Sequence, residues 1–437
     1  MLEAGFTLPE VDVRSLPGSD DIYRRVLPNG ITLLVRENFA SPSVVMQGSL
    51  AVGSLDDPRE KLGLADLTAL GLMRGTKQRS FGQIFHAIES IGARLGIASG
   101  IHTTGFRGKA LAEDFGRVLE LLADVLQDPV FPEAEMEVLR TQRLTTLTLR
   151  DEDTGSRAAM AFHELAYPGH PYRFPSEGYH KTVSAITLED LRHFHANTYA
   201  PAGMILGVVG SIHADDALDL VSAAFTGWEA KRKRDMVEAG PAPQLAEVLR
   251  KDIHLLGKSQ SDLILGVAGP ARKNPHFLAA SLGNSILGRF GLYGRIGDVV
   301  REQAGLAYYA YSSVDGGAGP GPWQVVAGVN PRGVDEAIGL ILGEIKRFIT
   351  QPVSDEELLE NKANFIGRMP LQLESNEGVA AALVHLERHN LGLDYYRHYP
   401  DAIATLTAED ILAAAREFWH PDSVAIAVAG EQERPDS

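Results

Sequence analysis

The chain has 437 residues, a formal net charge of −16 at pH 7, and 44% hydrophobic and 22% charged residues. This length and composition predict two or three globular domains, and the acidic balance argues against a nucleic-acid partner. The sequence contains no cysteine, which excludes disulfides, cysteine-ligated metal sites and thiol catalysis.

The N-terminal segment, residues 1–22, has neither the basic nor the apolar region of a secretory signal. No window of the sequence approaches the 18 or so apolar residues of a membrane span. We therefore expect an N-terminal extension over 1–22, no membrane partner and a cytoplasmic location. A periplasmic location would follow instead if a signal peptide had been removed.

Strands and helices alternate in mixed order along the chain. Alternating or continuous apolar runs predict strands within 31–37, 43–53 and 203–210. Apolar residues at helical spacing predict amphipathic helices over 114–128 and 333–350. An open sheet with helices on one face fits this order, so the expected fold class is α+β.

An internal repeat divides the chain into two halves. Residues 186–210 and 406–430 align without gaps at an offset of 220. Each copy predicts a threonine-capped helix with acidic residues in its first turn, followed by an apolar strand. The positions that coincide are Thr187/Thr407, Glu189/Glu409, Asp190/Asp410, Pro201/Pro421, Val208/Val428 and Gly210/Gly430.

The repeat and the composition shifts predict domain boundaries. We expect a first domain over 23–226, a linker over 227–246, a second domain over 247–432 and a tail over 433–437. The linker is charged and then rich in proline and glycine. Its Lys-Arg run, 231–234, is interpreted as a solvated part of the linker rather than a nucleic-acid patch.

One predicted helix, residues 63–76, has the shape of a known metal motif. In H-x-x-E-H, two histidines on one helix bind a zinc ion, and the glutamate between them acts as the general base. Here Asp66 and Leu70 occupy the two histidine places, and Ala69 occupies the glutamate place. Leu70 offers no lone pair, and one carboxylate does not make a catalytic zinc site, which needs three ligands and a water.

Longer stretches resemble the pitrilysin (insulinase-type) family of zinc peptidases, which includes the mitochondrial processing peptidase. The resemblance is strongest over 23–38, 53–76, 87–100 and 284–313, and extends from about residue 20 to 432. It implies a LuxS- and processing-peptidase-like metallohydrolase fold. Two homologous domains would each form a mostly antiparallel sheet with helices packed on one face.

The resemblance also places a third zinc ligand, a glutamate, near Thr146. Threonine is a poor ligand for zinc, so every ligand place of the motif is degenerate here. Because Ala69 also stands where the family has its general base, no side chain would take a proton from the water. We therefore expect no metal and no cofactor in this chain, and a packed helix at 63–76.

A histidine pair in the second half is a candidate for a relocated metal site. His385 and His389 lie four residues apart and share one face of a predicted helix. Glu387 points about 200° away from His385 and cannot join them. We expect an exposed helix face with two solvated histidines, and zinc in the purified single chain would overturn this expectation.

Arg301 and Tyr308 lie seven residues apart in the second half. The resemblance implies that such a pair contacts substrate near the zinc. Arginine supplies a forked cation for a peptide carbonyl or carboxylate, and tyrosine supplies a donor for a tetrahedral oxyanion. Spacing alone favours a structural ion pair for Arg301 and a packed ring for Tyr308, whereas the resemblance favours substrate contact.

The glycines Gly288, Gly291 and Gly294 form a G-x-x-G-x-x-G run. It is not a phosphate loop, because no G-K-[ST] follows it. It resembles the flexible substrate-contacting loop of non-catalytic processing-peptidase subunits. Further along, residues 315–323 predict a hairpin loop.

Together these features predict a non-catalytic, substrate-binding subunit of a heteromeric zinc-dependent endopeptidase. It would be inactive alone and active only in a heterodimeric clamshell with a homologous subunit that carries H-x-x-E-H and the zinc. The substrate would be a peptide, held as an added strand on a sheet edge. The alternative is a catalytically inactive peptide-binding or structural subunit, a homodimer or a core-type complex component, with no peptidase partner.

Overall fold

The computed structural model describes residues 7–229 and 236–431. The predicted tail at 433–437 and the Lys-Arg run of the linker lie outside the described residues. Within them, eleven strands form two sheets, one in each half of the chain.

The first sheet has the strand order β1-β2-β6-β3-β5-β4. Only β2 and β6 run parallel; the other neighbours are antiparallel. Its strands are β1 (Tyr23–Val26), β2 (Thr32–Glu37), β3 (Ser43–Leu50), β4 (Arg94–Ser99), β5 (Thr104–Leu111) and β6 (Ile205–Gly210).

The second sheet has the order β7-β11-β8-β10-β9, with β7 and β11 as its one parallel pair. Strand β9 is therefore an outer strand, and within 7–229 and 236–431 it pairs with β10 alone. The strands are β7 (Leu249–His254), β8 (Ser261–Ala268), β9 (Ala307–Val314), β10 (Pro322–Val329) and β11 (Ala425–Gly430). The predicted hairpin loop at 315–323 joins β9 to β10.

Fifteen α-helices occur in the described residues. Those of the first half are α1 (Leu64–Gly71), α2 (Phe81–Glu89), α3 (Phe115–Gln127), α4 (Glu133–Glu152), α5 (Thr154–Ala166), α6 (His180–Ser184), α7 (Leu188–Thr198) and α8 (Ala214–Ala224). Those of the second half are α9 (Phe277–Gly288), α10 (Phe290–Gly297), α11 (Val334–Thr350), α12 (Asp355–Gln372), α13 (Asn376–His389), α14 (Tyr395–Thr405) and α15 (Ala408–Phe418).

The sequence repeat recurs in the helix caps. The hydroxyl of Thr187 accepts from the backbone N–H of Asp190 at 3.1 Å, and the Asp190 carboxylate accepts in return from the N–H of Thr187 at 2.7 Å. Thr407 and Asp410 form the same reciprocal pair at the start of α15. Each capped helix is followed by the predicted apolar strand, β6 or β11. The fold class, α+β with two mostly antiparallel sheets, is confirmed.

Each sheet packs one face on the helices of its own half, and this layer holds the main core of that half. In the first half, Leu33, Val35 and Met46 face α1, α3, α4, α7 and α8. In the second half, Leu263, Leu265 and Val325 face α9, α11 and α15. The helices on this face of each sheet agree with the prediction.

The other face of each sheet, here called its inner face, is covered by a helix from the opposite half. Helix α13 covers the inner face of the first sheet, and α5 covers that of the second sheet. The contacts of α13 join Val379, Ala380 and Leu383 to Leu34, Val45 and Val209. Those of α5 join Ala158, Ala161 and Phe162 to Ile264, Ala425 and Ala427.

Among the residues that the structure describes, we find no helix that is both long and apolar enough to cross a bilayer.

Candidate functional site

The N-terminus of the motif helix α1 is capped by a side chain that precedes the helix in the sequence, that of Asp57. The carboxylate of Asp57 accepts from the backbone N–H groups of Gly63 at 2.8 Å and of Ala65 at 2.7 Å. These are donors that a helix N-terminus leaves without partners of its own. Burial raises the pKa of Asp57 to about 7, although both backbone N–H groups oppose the rise. Sequence reasoning missed Asp57, because it lies outside the helix that it caps.

An ion pair occupies the place of the first motif histidine. Nη2 of Arg143, on α4, lies 3.0 Å from Oδ1 and 2.7 Å from Oδ2 of Asp66. The two side chains are only 17% and 14% exposed. Burial raises the pKa of Asp66 to about 6; Arg143 lowers it, and Glu177 raises it further.

The other positions of the zinc motif place no metal-ligating side chain beside Asp66. Ala69 is fully buried, and Leu70 is half-buried against the first core. Thr146 is exposed, and its hydroxyl donates to the carbonyl of Gln142 in its own helix at 3.0 Å. Arg143, about one turn earlier on α4, is the residue that reaches the motif helix.

These residues do not fit a zinc ion. The one carboxylate is engaged by a guanidinium, whose positive charge opposes a dication at the same place. A methyl group and an isobutyl group stand at the other two motif places and supply no lone pair. Elsewhere in 7–229 and 236–431, no group of three or more His, Cys, Asp or Glu side chains has a metal-binding arrangement.

The predicted substrate pair lies at the outer strand of the second sheet. Arg301 belongs to a π-helical turn, Asp298–Gln303, and Gly305 at φ +64° lets the chain turn back into β9. The Nε of Arg301 lies 3.3 Å from Oε1 of Glu302, and its guanidinium lies 5.8 Å from the ring centre of Tyr293. Tyr308, near the start of β9, is 84% exposed.

The glycine run forms an irregular loop beside this pair. Residues 291–294 interrupt the helix, with φ of +62° at Gly291 and +61° at Gly294, a region that favours glycine. At Gly288, an added Cβ would lie 2.4 Å from the backbone nitrogen of Ser312 on β9. The loop holds Leu292 in solvent, 64% exposed. Tyr293 connects the loop to Arg301 by the ring contact already described.

A buried carboxylate joins the two halves next to β9. Asp262, on β8, is 4% exposed and accepts from the hydroxyl groups of Tyr309 and Thr154 and from the amide of Gln260 at 2.9 Å. Thr154 opens helix α5 of the first half. Burial, reinforced by Asp262, raises the pKa of Tyr309, which keeps this phenol protonated.

The expectation of two solvated histidines on α13 is wrong. His389 is 6% exposed and His385 is half-buried, because α13 lies between the halves rather than on the surface. Their ring centres are 4.6 Å apart, and burial lowers both pKa values to about 4. Glu387 points away from them, as predicted, and binds Arg24 through two hydrogen bonds.

The structure thus combines two similar sheets, a helix at the place of the zinc motif and an exposed Tyr308 on the second half. Two family models match the chain. One is described as "Insulinase (Peptidase family M16)" and matches residues 37–175; the other is described as "Peptidase M16 inactive domain" and matches residues 185–365. The chain belongs to the M16 peptidase family.

Relatives and solved structures agree with this assignment. The chain is 27% identical to a protein of Mycobacterium leprae described as an uncharacterized zinc protease, over 92% of this chain and 90% of that one. It is 25% identical to the rat mitochondrial cytochrome b-c1 complex subunit 1, over 64% of this chain and 58% of that one. A crystal structure of a peptidase M16 inactive domain from Pseudomonas fluorescens has a TM-score of 0.88 at 25% identity, covering 95% of this chain and 100% of that one.

Proposed function

We propose that this chain is the non-catalytic, substrate-binding subunit of a heteromeric zinc endopeptidase. A homologous partner chain would carry H-x-x-E-H and the zinc, and the two would enclose a peptide between them. One contrast carries the proposal. The Asp66–Arg143 pair stands where the metal site would be, whereas Tyr308 on the other half is 84% exposed.

The exposed groups have the chemistry that a peptide substrate requires. Tyr308 would donate its O–H to the carbonyl oxygen under attack, where negative charge develops. Arg301 would exchange Glu302, a partly exposed partner of small energetic value, for a substrate carbonyl or carboxylate. The free edge of β9 would pair with the peptide main chain. Zinc on the partner would supply the activated water.

The names of the similar proteins support both parts of this proposal. Several curated relatives are described as uncharacterized zinc proteases, which favours a role in proteolysis. The similar Pseudomonas structure is described as an inactive domain, which favours a chain without its own catalytic metal.

The first experiment is reconstitution. The chain is co-expressed with a homologous H-x-x-E-H protein from the same genome, and cleavage of a quenched fluorescent peptide is measured. We expect neither chain alone to cleave the peptide and the complex to cleave it with zinc bound to the partner. A mixture as inert as its components would reject the peptidase-subunit proposal.

Tyr308→Phe tests the role of the exposed phenol in that complex. Removing the single O–H should lower kcat by about 10- to 1000-fold, as removal of one oxyanion donor does. Tyr23→Phe is the matched control, since Tyr23 is also exposed, at 49%, but lies on β1 of the first sheet. Equal turnover of the Tyr308 variant and the parent complex would remove Tyr308 from the mechanism.

The similarity to the cytochrome b-c1 subunit favours a second candidate function. In it, the chain is a structural or peptide-binding subunit, in a homodimer or a larger complex, without a peptidase partner. This candidate would be supported by a stable complex that binds peptides but does not cleave them, whichever H-x-x-E-H homologue of the same genome is added.

A further inference from the structure

One arginine between the two halves has no anionic partner among the residues that the structure describes. Arg388 lies next to the last residue of α13, and its Nε is buried without a hydrogen bond to any described residue. Burial is the only influence that shifts the pKa of Arg388, and it lowers it. No carboxylate among the described residues therefore offsets the hydration that this guanidinium has lost.

A second arginine in the same region is held by neutral groups. The Nε of Arg272 donates to Nε2 of His385 at 3.3 Å, and its Nη2 donates to the hydroxyl of Tyr395 at 2.6 Å. Its guanidinium also stacks over the ring of Phe277, 4.6 Å from the ring centre. Two guanidinium groups thus flank the paired histidines, and both lower the pKa of His385 and His389.

Arg388 lines two cavities. One has a volume of about 910 Å³ and the other about 390 Å³. The smaller cavity has no carboxylate among its lining residues; its other polar groups are Gln47, Gln372, His385 and Tyr396. In the larger cavity, one lining carboxylate, Glu417, lies 3.4 Å from His276, and the other, Glu238, is exposed.

Histidine and arginine side chains respond differently to burial between the two halves. A histidine adapts to burial by losing its proton, and both histidines do so near pH 4. Arginine keeps its proton under all ordinary conditions. Arg388 has a buried Nε and no counter-charge among the described residues, so the site favours a ligand that brings negative charge.

We propose that the smaller cavity binds a small oxyanion, a carboxylate or phosphate group, with Arg388 as its principal partner. Because Arg272 donates to Nε2 of His385, the neutral ring carries its proton on Nδ1, which is then a second donor. The hydroxyl of Tyr396 and the amides of Gln47 and Gln372 complete a set of neutral donors. The oxyanion is either free in solution or the C-terminal group of a peptide.

Thermal unfolding of the full chain distinguishes these sources. The probes are inorganic phosphate, an acetylated dipeptide with a free C-terminal carboxylate, and the same dipeptide as its amide, each against sodium chloride of equal ionic strength. We expect a rise in Tm with phosphate or with the dipeptide acid, and none with the amide. The probe that raises Tm identifies the source of the oxyanion.

Variants at Arg388 separate binding from a general salt effect. In Arg388→Met, the response to the oxyanion should disappear, and Tm without it should stay equal or rise, because a partly buried cation without a counter-charge has been removed. Arg388→Lys should weaken the affinity at least tenfold by titration calorimetry, since lysine lacks the fork. Arg192→Met, at an exposed arginine on α7, is the matched control and should respond as the parent does.

Two results would overturn the proposal. One is a parent Tm that is the same in phosphate, dipeptide acid and sodium chloride. The other is an undiminished response in Arg388→Met, which would place the anion elsewhere. Neither Arg301 nor Tyr308 lines the smaller cavity. The oxyanion proposal can therefore fail while the proposed function stands.

Discussion

At the scale of single residues, the Asp66–Arg143 ion pair occupies the place of the first histidine of the zinc motif. The sequence predicts the missing ligands at Asp66, Ala69 and Leu70, because side-chain chemistry alone decides whether a lone pair is available. It does not predict Arg143, whose contact with Asp66 spans 77 positions. A periodic sequence shows that α4 has several faces but not which neighbour each face meets.

The ion pair gives a stability prediction. Asp66→Ala should lower the free energy of unfolding by about 2–4 kcal/mol, because Arg143 would stay in the interior without its partner. Urea unfolding at pH 7.5, above the pKa of Asp66 near 6, measures this loss. Arg117→Ala is the control, since it removes a side chain that is 70% exposed from its pair with Asp114 and should change stability by less than about 1 kcal/mol. Equal losses in the two variants would contradict a buried, coupled pair.

The double variant Asp66→Leu with Arg143→Met extends this test. Apolar replacement of both partners should restore most of the stability that Asp66→Ala loses, because neither charge remains uncompensated. A double variant no more stable than Asp66→Ala would show that the loss comes from packing rather than from the unpaired guanidinium.

The buried histidines give a pH prediction. Their folded pKa values, near 4, lie below the ordinary value of 6.5. The unfolded chain therefore binds more protons between these limits, and stability falls as pH decreases from 6.5 to 4. Asp57 and Asp66 have raised pKa values and act in the opposite sense over an overlapping range.

A difference measurement isolates the histidine contribution. The parent should lose roughly 2–4 kcal/mol more than the variant His385→Gln/His389→Gln between pH 6.5 and 4. Chemical unfolding at several pH values provides the comparison. Parallel stability curves for the two proteins would mean that neither histidine stays neutral in the folded chain.

At the scale of elements, local signals predict much of the structure. Thr187 and Thr407 predict two capped helices, and both caps are present with the expected acidic partners. The run of Gly288, Gly291 and Gly294 predicts an irregular segment, and the chain is non-helical at 291–294. The burial of α13 is the exception. Its histidine pair has helical spacing, but spacing does not reveal a helix that is enclosed on most sides.

The loop supplies a further prediction. Gly294→Ala should lower the free energy of unfolding by about 1–3 kcal/mol, because φ is +61° and the new Cβ would meet the carbonyl oxygen of Ile286 at 2.5 Å. Gly82→Ala is the matched control. Gly82 lies in α2 with ordinary dihedral angles and nothing within 4 Å of an added Cβ, so alanine there should be neutral or stabilising. Similar effects at the two glycines would argue against a fixed loop conformation.

At the scale of the whole molecule, each half contributes one helix to the sheet of the other half: α5 packs on the second sheet and α13 on the first. This exchange of helices joins the two halves. The repeat in the sequence predicts two homologous domains, and two sheets are present. It gives no indication that each sheet is covered by a helix of the other half, because an apolar helix face does not specify which of two similar sheets it meets. The halves are therefore less independent than the repeat indicates.

This exchange predicts one cooperative unfolding transition. Calorimetry of the full chain should show a single peak rather than one peak for each half. Leu383→Ala, at a fully buried position of α13, should shift that whole peak, with a loss of about 2–5 kcal/mol. Leu149→Ala, at a position that is 67% exposed, should leave it nearly unchanged. A Leu383 variant whose transition splits in two would show that the halves unfold separately.

The same exchange has a consequence for biosynthesis. The last strand of the first sheet, β6, is complete at Gly210, but α13 ends only at His389. At synthesis rates of 5–20 residues per second, roughly 10 to 40 seconds separate the two. During that interval the nascent chain presents Leu34, Val45 and Val209 without their final cover. We therefore expect chaperones to bind the ribosome-bound first half until the second half has been made.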